Sequence, residues 1–259
     1  MKCSASRSHG GLLAEQFMAW RPGEVAWLAF CVCSVAGLSL CCGDSLVGIV
    51  AAVTGMLYTV FAGKGKTMCF LFGMVNTPLY AYLSYVHGYY GDFALNVYYF
   101  LMMFPGLMAW RRNCAETAEE GVVRTRLSSR ERMALAAACL SATAALWWIL
   151  ARCGGSRPLC DAVTNVLSVA AMVLTVRRAI EQWVLWIAVD AVEVFMWVKV
   201  WLAGGGMVSV ALMWLLFLAN GMYMLALWLR VERHRQVAAA RQASPRCAPC
   251  TDAPIRCHS

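Results

Sequence analysis

The sequence predicts an all-α integral membrane protein, a bundle of about eight transmembrane helices, and three observations lead there. Hydrophobic residues make up 61% of the 259 residues and charged residues only 14%, whereas a soluble domain is nearer half apolar. The apolar residues gather in blocks close to the roughly 17–25 residues that a bilayer core requires. Basic residues fall in alternate loops between those blocks.

Taken in order, the apolar blocks are 25–41, 46–62, 68–86, 93–109, 133–151, 162–176, 183–202 and 207–229. The first is short and turns tightly through "CGDS" into the second. "GKGK" separates the second from the third and "HGYYGD" the third from the fourth. A longer charged stretch, 111–132, precedes the fifth. "CGGSRPLCD", "RRAIEQ" and "GGG" divide the rest.

Loops rich in Lys and Arg stay on the cytoplasmic side. The amino-terminal arm, Lys64 and Lys66, the 111–132 loop, Arg177 and Arg178, and the stretch from Arg230 onward hold 19 of the 22 basic residues. Arg152, Arg157 and Lys199 fall on the other side. Eight spans then put both termini in the cytoplasm, and the net charge of +8 reports topology rather than nucleic-acid binding. No cleaved signal peptide is expected, because the first apolar run begins near Val25 with no small-residue cleavage pattern after it.

The 13 cysteines are dispersed. Cys31, Cys33, Cys69 and Cys139 lie in spans, where a thiol acts as a small apolar group. Cys153 and Cys160 share an outward loop where an oxidising compartment would allow pairing. Cys247, Cys250, Cys257 and His258 form a single Cys-x-x-Cys with no second half, in a Pro- and Arg-rich tail read as flexible. No metal or cofactor is expected.

The chain also repeats itself. A shift of about 114 residues lays "GIVAAVTGMLYTVFAGKGKTMCFLFGMVNTPLYAY" over "AVTNVLSVAAMVLTVRRAIEQWVLWIAVDAVEVFMW", with Asn76 over Asp190. After a one-residue slip, Pro105–Gly106 falls over Asn220–Gly221. Three spans repeated in one orientation need an odd number of spans between them, which the fifth block supplies. Parallel repeats of this kind hold substrate near the midplane in known transporters.

In "WVLWIAVDAVEVFMW", residues 183, 186, 190, 193 and 197 share one helical face that reads Trp, Trp, Asp, Glu, Trp. Asp190 and Glu193 lie about 10 and 15 Å along the span, where each carboxylate costs about 2.5–3.5 kcal/mol. Indole faces attract cations, so the stripe suits a flat or cationic aromatic ligand. The competing reading has the acids protonated or bonded to polar neighbours while the tryptophans pack. Asn76, Tyr80, Asn165 and Asn220 could face the same cavity, or bond a neighbouring helix. Pro78 and Pro105 lie inside spans, where they permit a kink.

The segments "FLFGMVNTPLYAYLSYVHGYYGDFALNVYYFLMMFPGLMAW", "EQWVLWIAVDAVEVFMW" and "FLANGMY" resemble the PnuC family of bacterial vitamin transporters from Ser45 to Arg230. The most specific element is Trp-x-x-Trp-x-x-x-Asn, met here by Trp183 and Trp186 with Asp190 in place of the asparagine. The resemblance implies a SWEET-like 3+1+3 helix bundle in the bacterial cytoplasmic (inner) membrane and a homotrimer. It implies facilitated uptake of nicotinamide riboside, made effective by a cytoplasmic vitamin kinase. Substrate contact carries over to Trp183, Trp186 and Asp190. The departure at Asp190 and the neighbouring Glu193 leave thiamine or another vitamin as an alternative cargo on the same fold.

The domains then expected are an arm and extra helix (1–44), a first three-helix bundle (45–110), a loop and linker helix (111–152), a second bundle (153–230) and a flexible tail (231–259). A membrane-embedded enzyme using Asp190 and Glu193 is the competing class. All four histidines lie outside the spans, unlike the converging ligands that such enzymes use. The chain is not expected to be an enzyme. The expected substrate site is Trp183, Trp186, Asp190, Glu193, Asn220, Asn76, Tyr80, Asn165 and Trp197.

Overall fold

A computed structural model describes residues 16–17, 20–113, 122–154, 157–204 and 208–243. Among these, eight helices follow in chain order: α1 (Pro22–Cys41), α2 (Leu46–Gly63), α3 (Cys69–Val86), α4 (Tyr90–Arg112), α5 (Ser129–Arg152), α6 (Pro158–Val176), α7 (Gln182–Leu202) and α8 (Val208–Ala243). No described residue belongs to a strand, and Thr125 and Ala179 form an isolated bridge. Six helices are long and apolar enough to cross a membrane. The two that are not are α3 and α7, and the reason is compositional. α3 carries Asn76, Ser84 and several tyrosines, while α7 carries Asp190, Glu193 and Lys199.

The helix ends follow from local chemistry. The Ser45 side chain accepts the Gly48 N–H at the start of α2, and Ser128 and Glu131 form a reciprocal box at the start of α5. Proline occupies the first turn of α1 and α6, where no N–H is needed. α2 and α6 end in the same turn. Gly65 donates to the Ala62 carbonyl and Lys66 to Phe61; Arg178 donates to Thr175 and Ala179 to Leu174. The left-handed position is glycine in the first case (φ 68°) and Arg178 in the second (φ 61°). A side chain there costs about 1–2 kcal/mol. The Arg178 guanidinium offsets this by donating to the carbonyls of Val123 (3.0 Å) and Ala109 (3.3 Å).

Packing divides the helices into two sequential groups. α2 packs on α3 and α3 on α4; α6 packs on α7 and α7 on α8. The groups meet where α4 touches α6 and where α2 touches α8, while α3 and α7 stay apart. Tyr58 on α2 and Met172 on α6, separated in sequence by 114 residues, approach to 3.8 Å between hydroxyl and sulfur. α1 leans on α2 and α8, fixed by a buried ion pair in which Lys64 Nζ lies 2.8 Å from Glu24. α5 packs only on α6 and buries none of its residues.

The 111–132 stretch was expected as a charged loop, but its later part is docked. Thr125 N–H donates to the Arg178 carbonyl and Ile180 N–H to the Thr125 carbonyl. This buries Val122, Arg124 and Leu127. The Arg124 guanidinium lies 4.9 Å over the Trp228 ring, whose indole donates to the Gly63 carbonyl at 2.7 Å. α8 runs helically to Ala243, so the stretch expected as a tail from 231 begins as helix. The Gln236 to Glu232 side-chain bond across one turn supports it there. Cys153 and Cys160 are free thiols. The Cys247, Cys250, Cys257 and His258 group lies outside the described residues.

Candidate functional site

The face of α7 that the sequence marks out opens on a cavity of about 440 Å³ between the two helix groups. Trp183, Trp186, Asp190, Glu193 and Trp197 all line it, as their shared helical face requires. Asn76 and Tyr80 reach it from α3, Asn165 from α6 and Asn220 from α8. All nine sequence candidates are thus brought to one space.

Their partners differ. Trp186 donates from Nε1 to Thr175 Oγ1 at 3.3 Å, and its ring lies 6.0 Å from that of Tyr99. Trp183 is buried edge-on to Trp228 at 5.9 Å, and its Nε1 has no acceptor among the described residues. Glu193 accepts from Trp197 Nε1 at 3.2 Å. Asp190 is 8% exposed, and its carboxylate receives no hydrogen bond from any described residue. A buried carboxylate without a partner is costly, which sets Asp190 apart from the other polar groups that line the cavity.

The asparagines are each partly engaged. Asn76 Nδ2 donates to the Ala51 carbonyl at 2.6 Å, and Asn165 Nδ2 to Asp161 of its own helix at 2.7 Å. Asn220 is 1% exposed; it accepts from Trp27 Nε1 at 3.1 Å and donates to Thr59 Oγ1 at 3.2 Å. Asn76 and Asp190 each face a glycine on a neighbouring helix, Gly55 on α2 and Gly221 on α8. A Cβ at Gly55 would lie 2.8 Å from Asn76 Nδ2, and one at Gly221 would lie 3.6 Å from Asp190 Oδ2.

Several lining residues escape a reading of the sequence. Asp92 sits in "HGYYGD", read there as a loop, yet it belongs to the first turn of α4. Gln182 sits in "RRAIEQ" but opens α7 and is 1% exposed. Tyr58, Tyr99 and Trp214 add aromatic wall. No described Lys or Arg lines the cavity, whereas Asp92, Asp190 and Glu193 do. The site therefore combines aromatic faces with carboxyl groups, a combination suited to a flat cation.

Residues 45–230 match the family described as nicotinamide mononucleotide transporter. The chain belongs to that family. Among its relatives, the nicotinamide riboside transporter PnuC of Neisseria mucosa is 36% identical over 226 residues, covering 85% of this chain and 86% of the relative. The protein of the same description from Haemophilus influenzae is 27% identical and covers 85% and 96%. A crystal structure of the vitamin B3 transporter PnuC superposes with a TM-score of 0.75 at 35% identity, covering 88% of this chain and all of that one. These relatives are named as transporters, not enzymes. The family match begins at residue 45, so α1 lies outside it, while α2–α7 lie wholly within it.

Proposed function

We propose that the chain carries nicotinamide riboside across the bacterial cytoplasmic membrane by facilitated diffusion, and that the cavity between the two helix groups is its binding site. The observation that carries this reading is the unpartnered Asp190 carboxylate beside Trp183 and Trp186, in a cavity lined by no described cation. The cationic pyridinium would stack on the indoles and take Asp190 as its countercharge. Trp183 Nε1 supplies an uncommitted donor for a ligand oxygen.

The proposed architecture is the SWEET-like 3+1+3 bundle with α1 added in front, all eight helices crossing and both termini cytoplasmic. Its support is the symmetry of the packing: α4 on α6 answers α2 on α8, and Tyr58 meets Met172 one repeat away. α3 and α7 turn polar residues to the shared cavity, Asn76, Thr77, Tyr80 and Ser84 from the one and Asp190 and Glu193 from the other, which lowers their apolar content. The cationic turns after α2 and α6 gather with Arg124 at one end, as cytoplasmic loops should. Facilitated diffusion only equalises concentrations, so net uptake depends on a cytoplasmic kinase that phosphorylates the riboside. Assembly as a homotrimer completes the proposal.

Calorimetric titration of the purified protein with nicotinamide riboside, and with thiamine in parallel, tests the cargo. Saturable riboside binding that weakens in Trp186→Ala is expected. Binding of thiamine alone reassigns the cargo, and binding of neither overturns the site.

A further inference from the structure

We infer that Trp27, on the helix outside the family match, is a positioning residue for the cavity: it fixes the Asn220 side chain so that its amide N–H, not its oxygen, is what a ligand meets. This inference rests on the functional reading of the cavity above.

The geometry is a one-way chain of hydrogen bonds across three helices. An indole nitrogen can only donate, so Trp27 Nε1, 3.1 Å from Asn220, must face the amide oxygen. That turns Nδ2 toward α2, where one N–H reaches Thr59 Oγ1 at 3.2 Å. The Thr59 hydroxyl spends its own proton on the Met56 carbonyl at 3.0 Å, which leaves its oxygen as acceptor and closes the chain. Reversing the Asn220 amide would set two donors against each other at Trp27. Asn220 is buried and lines the cavity next to Gly221, which faces Asp190. Its second N–H is therefore offered to an acceptor oxygen of the ligand, a hydroxyl or a carboxamide carbonyl.

The anchoring of α1 fits this task. The buried Glu24–Lys64 pair sets the depth of the helix against α2, and the Trp27 ring packs at 5.3 Å from Tyr223 on α8, one turn beyond Asn220.

The test is a double-mutant cycle with Trp27→Phe, which keeps an aromatic ring and removes the donor, and Asn220→Ala. It is read by titration with nicotinamide riboside and by thermal unfolding of the ligand-free protein. Trp27→Phe is expected to weaken riboside binding roughly tenfold and to have no further effect once Asn220 is alanine. A purely structural role would give the same loss in both backgrounds, which would overturn the inference, as would unchanged affinity in the single variant. If the wild-type protein binds no riboside, the functional reading falls. The unfolding cycle then still decides whether Trp27 holds Asn220: additive effects on stability overturn it.

Discussion

At the scale of single residues, the charge of Asp190 is the sharpest feature. No described residue gives it a hydrogen bond, and Glu193, three positions beyond it on the same face, is already held by Trp197. Asp190→Asn, which restores the amide that the resemblance leads one to expect, should weaken binding of the cationic riboside about tenfold. It should leave binding of the reduced, uncharged riboside nearly unchanged; competition between the two ligands measures this. Trp186→Ala should cost about 1–3 kcal/mol of affinity, the usual worth of a base stacked on an aromatic side chain, read by the same titration. Trp183→Ala should in addition lower thermal stability by about 3–5 kcal/mol, because it opens a void against Trp228.

At the scale of elements, two close approaches set the register of the helices. α2 meets α8 at Gly63, where a Cβ would collide with Met224. Gly63→Ala should therefore lower thermal stability by about 1–3 kcal/mol, seen as an earlier melting transition in detergent. The turn after α6 gives a test of opposite design. Arg178→Ala keeps the left-handed backbone and loses both carbonyl contacts, whereas Arg178→Gly loses the contacts but relieves the backbone. Glycine should be the more stable replacement by about 1 kcal/mol, read by chemical unfolding. Most of the elements were legible in the sequence because membrane helices are written in long apolar blocks, and the stripe on α7 followed from helical spacing alone. Asp92 and Gln182 were not, because each lies where a polar punctuation becomes the first turn of a helix. A composition boundary does not resolve that step.

At the scale of the whole molecule, what sequence reading could not reach was long-range. Trp27 and Asn220 are 193 positions apart, and no periodicity links them. The docking of Val122, Arg124 and Leu127 is likewise a tertiary event, since charged loop composition gives no sign of burial. The proposed topology is open to a direct check. A reporter fused within the 111–132 stretch should be active only in its cytoplasmic form, and native mass measurement should give three copies per particle. The docked segment has a further consequence for the rate of transport. Trp183 forms one wall of the cavity, and behind it Trp228 is bolted to Gly63 and capped by Arg124, so cargo released at this end has to pass that cluster. Each such contact is worth about 1 kcal/mol, and every 1.36 kcal/mol added to an opening barrier slows it about tenfold. Neither Trp228 nor Arg124 lines the cavity, so if release opens at this end, variants at either residue should change the speed of passage, measured by a transport-rate assay, while leaving the affinity alone.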